Sequence, residues 1–151
     1  MHKPEPSLTL ALLQAREAAM SFFRPLLNQY ELTEQQWRVI RILSQHPNDE
    51  LESHQLAEMA CILRPSMTGV LMRLERDGLV RRWKPVNDQR RLCVSLTRKG
   101  AELFEEMSDE MARQYKEIQR QFGPDNFQTL MRLLQELARI EPGGAPSRKS
   151  A

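Results

Sequence analysis

Arg64, Arg73, Arg76, Arg81, Arg82, Lys84, Arg90, Arg91, Arg98 and Lys99 crowd into forty consecutive residues, 61–100, that hold only three acids, Glu75, Asp77 and Asp88. Guanidinium and ammonium groups at this density do one kind of chemistry well, the neutralisation of phosphate. The other 111 residues carry 12 basic and 17 acidic side chains, so charge is segregated along a chain whose overall balance is only +2. A short, strongly cationic stretch of this kind points to a nucleic acid surface.

Other chemically able residues are sparse. His2, His46 and His54 have no metal-ligand spacing with Cys or acids, and there is no GxSxG, no glycine-rich phosphate loop and no carboxylate pair in an apolar setting. No catalytic residue, metal site or cofactor is implied, and the chain reads as a non-enzyme. Cys61 and Cys93 leave a thiol-based redox regulator open as a competing class, although both positions suit small buried hydrophobes. Two cysteines, no charged-then-apolar leader and no run of about 18 apolar residues lead us to expect a reduced, cytoplasmic protein without a membrane partner.

The elements that must carry the cationic groups follow from periodicity. Leu8, Leu12, Ala15, Ala19, Phe22 and Leu26 recur at helical spacing over 8–30, with Leu13, Phe23 and Leu27 widening the stripe. Pro25 should kink or break this helix near Arg24. Thr33 and Gln36 form a capping box that opens a helix with Trp37, Ile40 and Leu43 inward, ended by His46 and Pro47. After a polar loop, Ser53 can cap a short helix carrying Leu56, Ala57 and Ala60. A helix from Pro65 to Asp77 turns Met67, Val70, Leu71 and Leu74 to one side, and Gly78 should stop it in a left-handed cap. The period then changes to two. Leu79 to Trp83 and Leu92 to Leu96 read as paired strands, with Leu92, Val94 and Leu96 on one face and a projecting basic loop at 84–91 between them. Thr97 caps a long helix with Ala101, Phe104, Met107, Met111, Tyr115 and Ile118 inward. Gly123 and Pro124 end it, and a last helix carries Phe127, Leu130, Leu134 and Leu137. The tail 141–151 has no apolar anchor and should be disordered.

A helix, a short turn and a second helix with small polar and basic groups outward form a helix-turn-helix, whose second helix has the diameter that the B-DNA major groove admits. Arg64, Ser66 and Thr68 lie on its first turns, and the loop beyond supplies Arg90 and Arg91. Each element alone is no more than a solvated face; their contiguity, with the charge excess confined to them, carries the inference. A winged-helix module that binds only protein or RNA remains an alternative.

The stretch LAEMACILRPSMTGVLMRLERDGLVRRWKPVNDQRRLCVSLTRKG resembles the winged-helix core of the MarR transcriptional regulators, with the wing's acid-x-basic pattern at Asp88, Gln89 and Arg90 and an LT-x-x-G at Leu96, Thr97 and Gly100. The resemblance covers roughly 8 to 140 and, within the family, runs to the repressors of homoprotocatechuate and hydroxyphenylacetate breakdown operons. It implies a mainly α fold with a small β-hairpin wing. The expected parts are an N-terminal dimerisation helix in 1–30, a DNA-binding lobe at 31–97 and C-terminal dimerisation helices at 98–140. It also implies a homodimer that represses transcription from a palindromic site on double-stranded DNA and is released by a phenolic or aromatic carboxylate.

The expected DNA contacts are Arg64, Ser66, Thr68, Arg73, Lys84, Asp88, Arg90 and Arg91; among them the resemblance puts Arg90 at the wing tip, Asp88 holding the loop through a nearby arginine, and Arg73 at the family's basic position in the recognition helix. Gly69 and Met72 depart from the arginine and acid common in the family, which shifts the load to Ser66, Thr68, Arg64 and the wing. The expected ligand lining is Arg16 and Phe23 from the first helix with Trp37 and Arg41 from the second: a guanidinium for the carboxylate and ring faces for the aromatic body.

Overall fold

Thr33 starts the helix around which the first half of the chain is built. Its hydroxyl accepts from the Gln36 amide at 3.1 Å and the Gln36 side chain accepts from the Thr33 amide at 2.9 Å, the reciprocal capping box expected from sequence. In the computed structural model, which describes residues 3–147, the order is α1 (Leu8–Met20), α2 (Arg24–Gln29), α3 (Glu34–Gln45), β1 (Leu51–Glu52), α4 (Ser53–Ala60), α5 (Arg64–Arg76), β2 (Val80–Trp83), β3 (Cys93–Leu96), α6 (Arg98–Phe122) and α7 (Pro124–Leu137). The chain divides between Gln114 and Tyr115 into two compact units.

In the first unit Val39, Ile40, Leu56, Met67, Leu71, Leu74, Val94 and Met107 are completely or almost completely buried, which places the core where α3, α4, α5, β3 and the start of α6 converge. All four residues expected on the inner face of α5 lie in it. The sequence-predicted break near Arg24 is present as a turn at 21–23, and Pro25 occupies the first turn of α2, where its missing N–H costs nothing. α1 itself buries no residue: Leu8, Leu10 and Leu13 are each more than half exposed.

Two expectations require correction. The loop before α4 contains a strand, so the sheet has three strands in the order β1-β3-β2, with Leu51 opposite Val94 and Val80 opposite Leu96. Cys93 and Val94, on the two faces of the middle strand β3, are both fully buried, so the sheet is covered on both sides there. The cap of α4 is Glu52, not Ser53: its carboxylate accepts from the Gln55 amide while the Gln55 side chain accepts from the Glu52 amide at 2.8 Å.

α5 ends as its sequence requires. Gly78 takes φ +75, its amide donates to Glu75 O at 3.0 Å, and the Leu79 amide reaches Leu74 O at 2.9 Å, the paired bonds of a Schellman cap. Thr97 opens α6 by accepting from the Gly100 amide at 3.1 Å. Phe104, Met107 and Met111 of α6 pack inward as expected, whereas Ala101 is exposed.

In the second unit Tyr115 meets Phe127 edge to face, with ring centroids 5.2 Å apart. α7 buries none of its residues, and Leu133 and Ile140 are exposed. The described part of the tail, 141–147, is exposed and makes one turn closed by the Gly144 amide on Glu141 O at 3.0 Å. The rest of the expected disordered segment, 148–151, lies outside the described residues, as does His2. No described helix is long and apolar enough to cross a membrane.

Candidate nucleic acid interface

The reading head is assembled from α5 and the loop between β2 and β3. Burying Met67, Val70, Leu71 and Leu74 forces Arg64, Ser66, Thr68 and Arg73 to the opposite, exposed face of α5. Arg64 and Arg73 make no ion pair with any described residue, and neither does Lys84 at the foot of the wing, so three cations stand ready for an external anion. The Thr68 hydroxyl donates to Arg64 O at 3.4 Å.

The wing loop is folded on itself rather than loose. The Asp88 amide donates to Pro85 O at 3.1 Å, the Gln89 side chain donates to the same carbonyl at 2.8 Å, and Pro85 is buried. Asp88 holds the tip: its Oδ1 accepts from the Arg90 amide at 3.1 Å and from Arg90 Nε at 3.3 Å. That contact orients Arg90 without hiding it, because the side chain remains 92% exposed.

Arg91 has partners that the sequence did not indicate. Its Nη1 lies 3.1 Å from a Glu50 carboxylate oxygen, its Nε 3.2 Å from Glu52 Oε1, and Nη2 donates to Glu50 O at 3.3 Å. The guanidinium is thus committed to joining the wing to the segment that leads into α4. These acids were missed in sequence because they lie 39 and 41 residues from Arg91. Glu52 alone carried a signal, as the acid three residues before Gln55 in a capping box. A second clamp ties α5 to β2: Arg82 makes a forked contact with Glu75 at 3.0 and 3.2 Å, which holds the Glu75 carboxyl below its usual range. On the same strand the Arg81 guanidinium lies 4.5 Å from the Trp83 ring centroid.

The four residues expected to line a ligand site differ in exposure and in partners. Arg16 Nη2 is 2.6 Å from Glu34 Oε2, and Arg24 bridges Glu34 at 2.8 Å and Glu17 at 2.8 Å, so Arg16 belongs to an alternating ring of charge that pins α1 and α2 to α3. Hydrogen bonds from these arginines hold both carboxyls below the usual range. Trp37 is a core residue, 7% exposed and stacked on Phe104 with centroids 5.6 Å apart. Phe23 packs half-buried against the same core. Arg41 is exposed, with no ion pair to a described residue. A groove of about 430 Å³ is lined by Ser21, Phe22, Pro25, Leu26, Gln29, Glu110 and Gln114.

Both thiols are free. Cys93 is buried, and burial pushes its thiol up. Cys61, expected to be buried, is exposed at the end of α4 with φ +53, because the elbow of the helix-turn-helix needs a left-handed residue there and the next side chain, Ile62, takes the inward place.

The chain is similar to known proteins in sequence and fold. The sequence model of the MarR family matches residues 32–92, which run from α3 to the root of the wing. The homoprotocatechuate degradative operon repressor of Escherichia coli is 54% identical over 130 residues, 86% of each chain. Among solved structures, the transcriptional regulator PA4135 superposes with a TM-score of 0.86 at 64% identity, covering 91% of this chain and all of the other. NadR in complex with 4-hydroxyphenylacetate superposes with a TM-score of 0.81 at 48% identity, over 93% of this chain and 99% of that one. A reading helix capped at Gly78, a wing tipped by Arg90 and this likeness along nearly the whole sequence lead to one conclusion: the chain belongs to the MarR family.

Proposed function

We propose that this protein is a homodimeric, DNA-binding transcriptional repressor of an aromatic-acid catabolic operon, released from a palindromic operator by a phenolic or aromatic carboxylate. The observation that carries the reading is the exposed cationic head: Arg64 and Arg73 unpaired on one face of α5, Lys84 at the foot of the wing and Arg90 held out at its tip. In a duplex complex α5 lies in the major groove with Ser66, Thr68 and Arg64 toward base edges and phosphates, and Arg90 enters the adjacent minor groove. Asp88 orients Arg90. Arg91 serves as a strut for the wing rather than as a phosphate contact. A chromosomal target sets the protein in the cytoplasm.

Dimerisation is supported by the exposed leucines of α1, which a lone subunit leaves in water. In this reading 31–97 is the DNA-binding lobe, and the helices in 1–30 and 98–140 bury their apolar faces against a second copy, spacing two reading helices by about 34 Å along the duplex. The effector class is supported by the names of the relatives: one represses a homoprotocatechuate degradative operon, and another was solved with 4-hydroxyphenylacetate. Within this chain Arg41, one turn along α3 from Trp37, is a cation with no ion pair to a described residue, whereas Arg16 is paired with Glu34. Fluorescence anisotropy on the duplex upstream of the protein's own gene tests the proposal. Sequence-selective binding that 4-hydroxyphenylacetate reverses is expected; failure to prefer that duplex over random sequence would overturn it.

A further inference from the structure

A notch of about 240 Å³ opens where α4, α5 and the wing converge, and its polar lining comes from Glu52, Ser53, His54, Arg64, Thr68 and Arg90 over an apolar floor. It is smaller than the roughly 300–1,000 Å³ of pockets that enclose a whole metabolite, which fits it to one group projecting from a larger partner. Two guanidiniums reach it from different elements: Arg64 has no described acid partner, and Arg90 gives only its Nε and amide to Asp88. The single carboxylate present is already satisfied. Glu52 Oε1 meets Arg91 Nε at 3.2 Å, Glu52 Oε2 meets His54 Nε2 at 3.1 Å, and the Gln55 amide caps it as well. The notch is therefore a cationic seat with two hydroxyls, and Glu52 orients the half-exposed imidazole of His54 rather than repelling an anion.

We infer that this notch seats a single backbone phosphate of the bound duplex, the one between the two grooves, held by Arg64 and by the Arg90 guanidinium at the mouth of the minor groove, with His54 as a third donor through Nδ1–H of the doubly protonated ring, since Nε2 is spent on Glu52. The inference rests on the DNA-binding reading above and adds α4 and the β1 segment to the contact surface. The Glu50–Arg91–Glu52 clamp has a defined task in it: it fixes the distance between His54 and Arg90, the two sides of the seat that come from elements nearly forty residues apart in sequence.

The test is a double-mutant cycle on a random-sequence duplex, read by anisotropy at several salt concentrations, with thermal melts to show that each variant is folded. His54→Ala and Arg64→Ala are each expected to weaken binding about tenfold, and the pair to weaken it by much less than the product, because both act on one phosphate. His54→Arg, which sets a permanent cation in the seat, is expected to steepen the plot of log Kd against log salt by about one unit. Additive losses, or a silent His54→Ala beside a wild type that binds, would overturn the seat while leaving the DNA-binding reading intact. A wild type that binds no duplex would overturn that reading itself.

Discussion

A Cβ on Gly100 would lie 2.1 Å from the carbonyl oxygen of Leu79. The first turn of α6 is pressed against the C-terminal cap of α5 and fastened there: the Thr97 amide donates to Leu79 O at 3.0 Å, the Thr97 hydroxyl donates to Gly78 O, and Lys99 Nζ donates to Asp77 O at 2.8 Å. These bonds satisfy the carbonyls of Asp77, Gly78 and Leu79 just past the end of α5 and fasten the first turn of α6 to it. Gly100→Ala meets rigid backbone rather than a flexible side chain. It is expected to cost about 2 kcal/mol or more in urea unfolding and to weaken duplex binding as α5 is displaced; unchanged stability would contradict the contact.

Arg91→Ala separates strut from contact. Losing Glu50 and Glu52 should lower the melting temperature slightly, because these are solvent-screened ion pairs. The salt slope of duplex binding should stay near the wild-type value. A slope lower by a full unit would return Arg91 to the phosphate-binding set.

Acid should loosen the protein through its paired carboxylates. Glu17, Glu34 and Glu75 titrate below their usual range because arginines hydrogen-bond their charged forms, and Glu117, beside Arg120 and Gln121, falls to about 2. A lowered folded-state pKa means that the unfolded chain takes up the proton first. The stabilisation is therefore complete above about pH 4.3, the unfolded value, and is lost as pH falls from there toward 2. Melting temperature measured across that window should drop, and Glu34→Gln should start lower but fall less steeply, since its share of the proton uptake is gone. An unaltered slope in Glu34→Gln would contradict the ring of charge around Arg16 and Arg24.

The two thiols should differ in rate. In the native protein a thiol reagent is expected to modify exposed Cys61 quickly and buried Cys93 only on unfolding. Equal rates would show that the sheet opens around β3.

What the sequence made legible was local. Thr33 with Gln36, Pro65 near a helix start and Gly78 past a helix end each act within a few residues, and each appears where periodicity put it. The outward set on α5 followed from its inward set. β1 was hidden because a two-residue strand has no period of its own and exists only through Val94 and Cys93, more than forty residues away. The ion pairs of Arg91 and Arg16 were hidden for the same reason: their partners Glu52 and Glu34 are distant in sequence. Cys61 was misjudged because the backbone turn, not side-chain hydrophobicity, decides which residue of the elbow faces inward.

The salt dependence of duplex binding by the wild type and Arg90→Ala tests the central claim most directly. Arg90 is 92% exposed and, among the described residues, bound only to Asp88, so its removal should leave melting temperature unchanged, weaken binding, and reduce the slope of log Kd against log salt by about one unit. Equal slopes for the two proteins, or no duplex binding by either, would contradict the claim that this cationic head grips DNA.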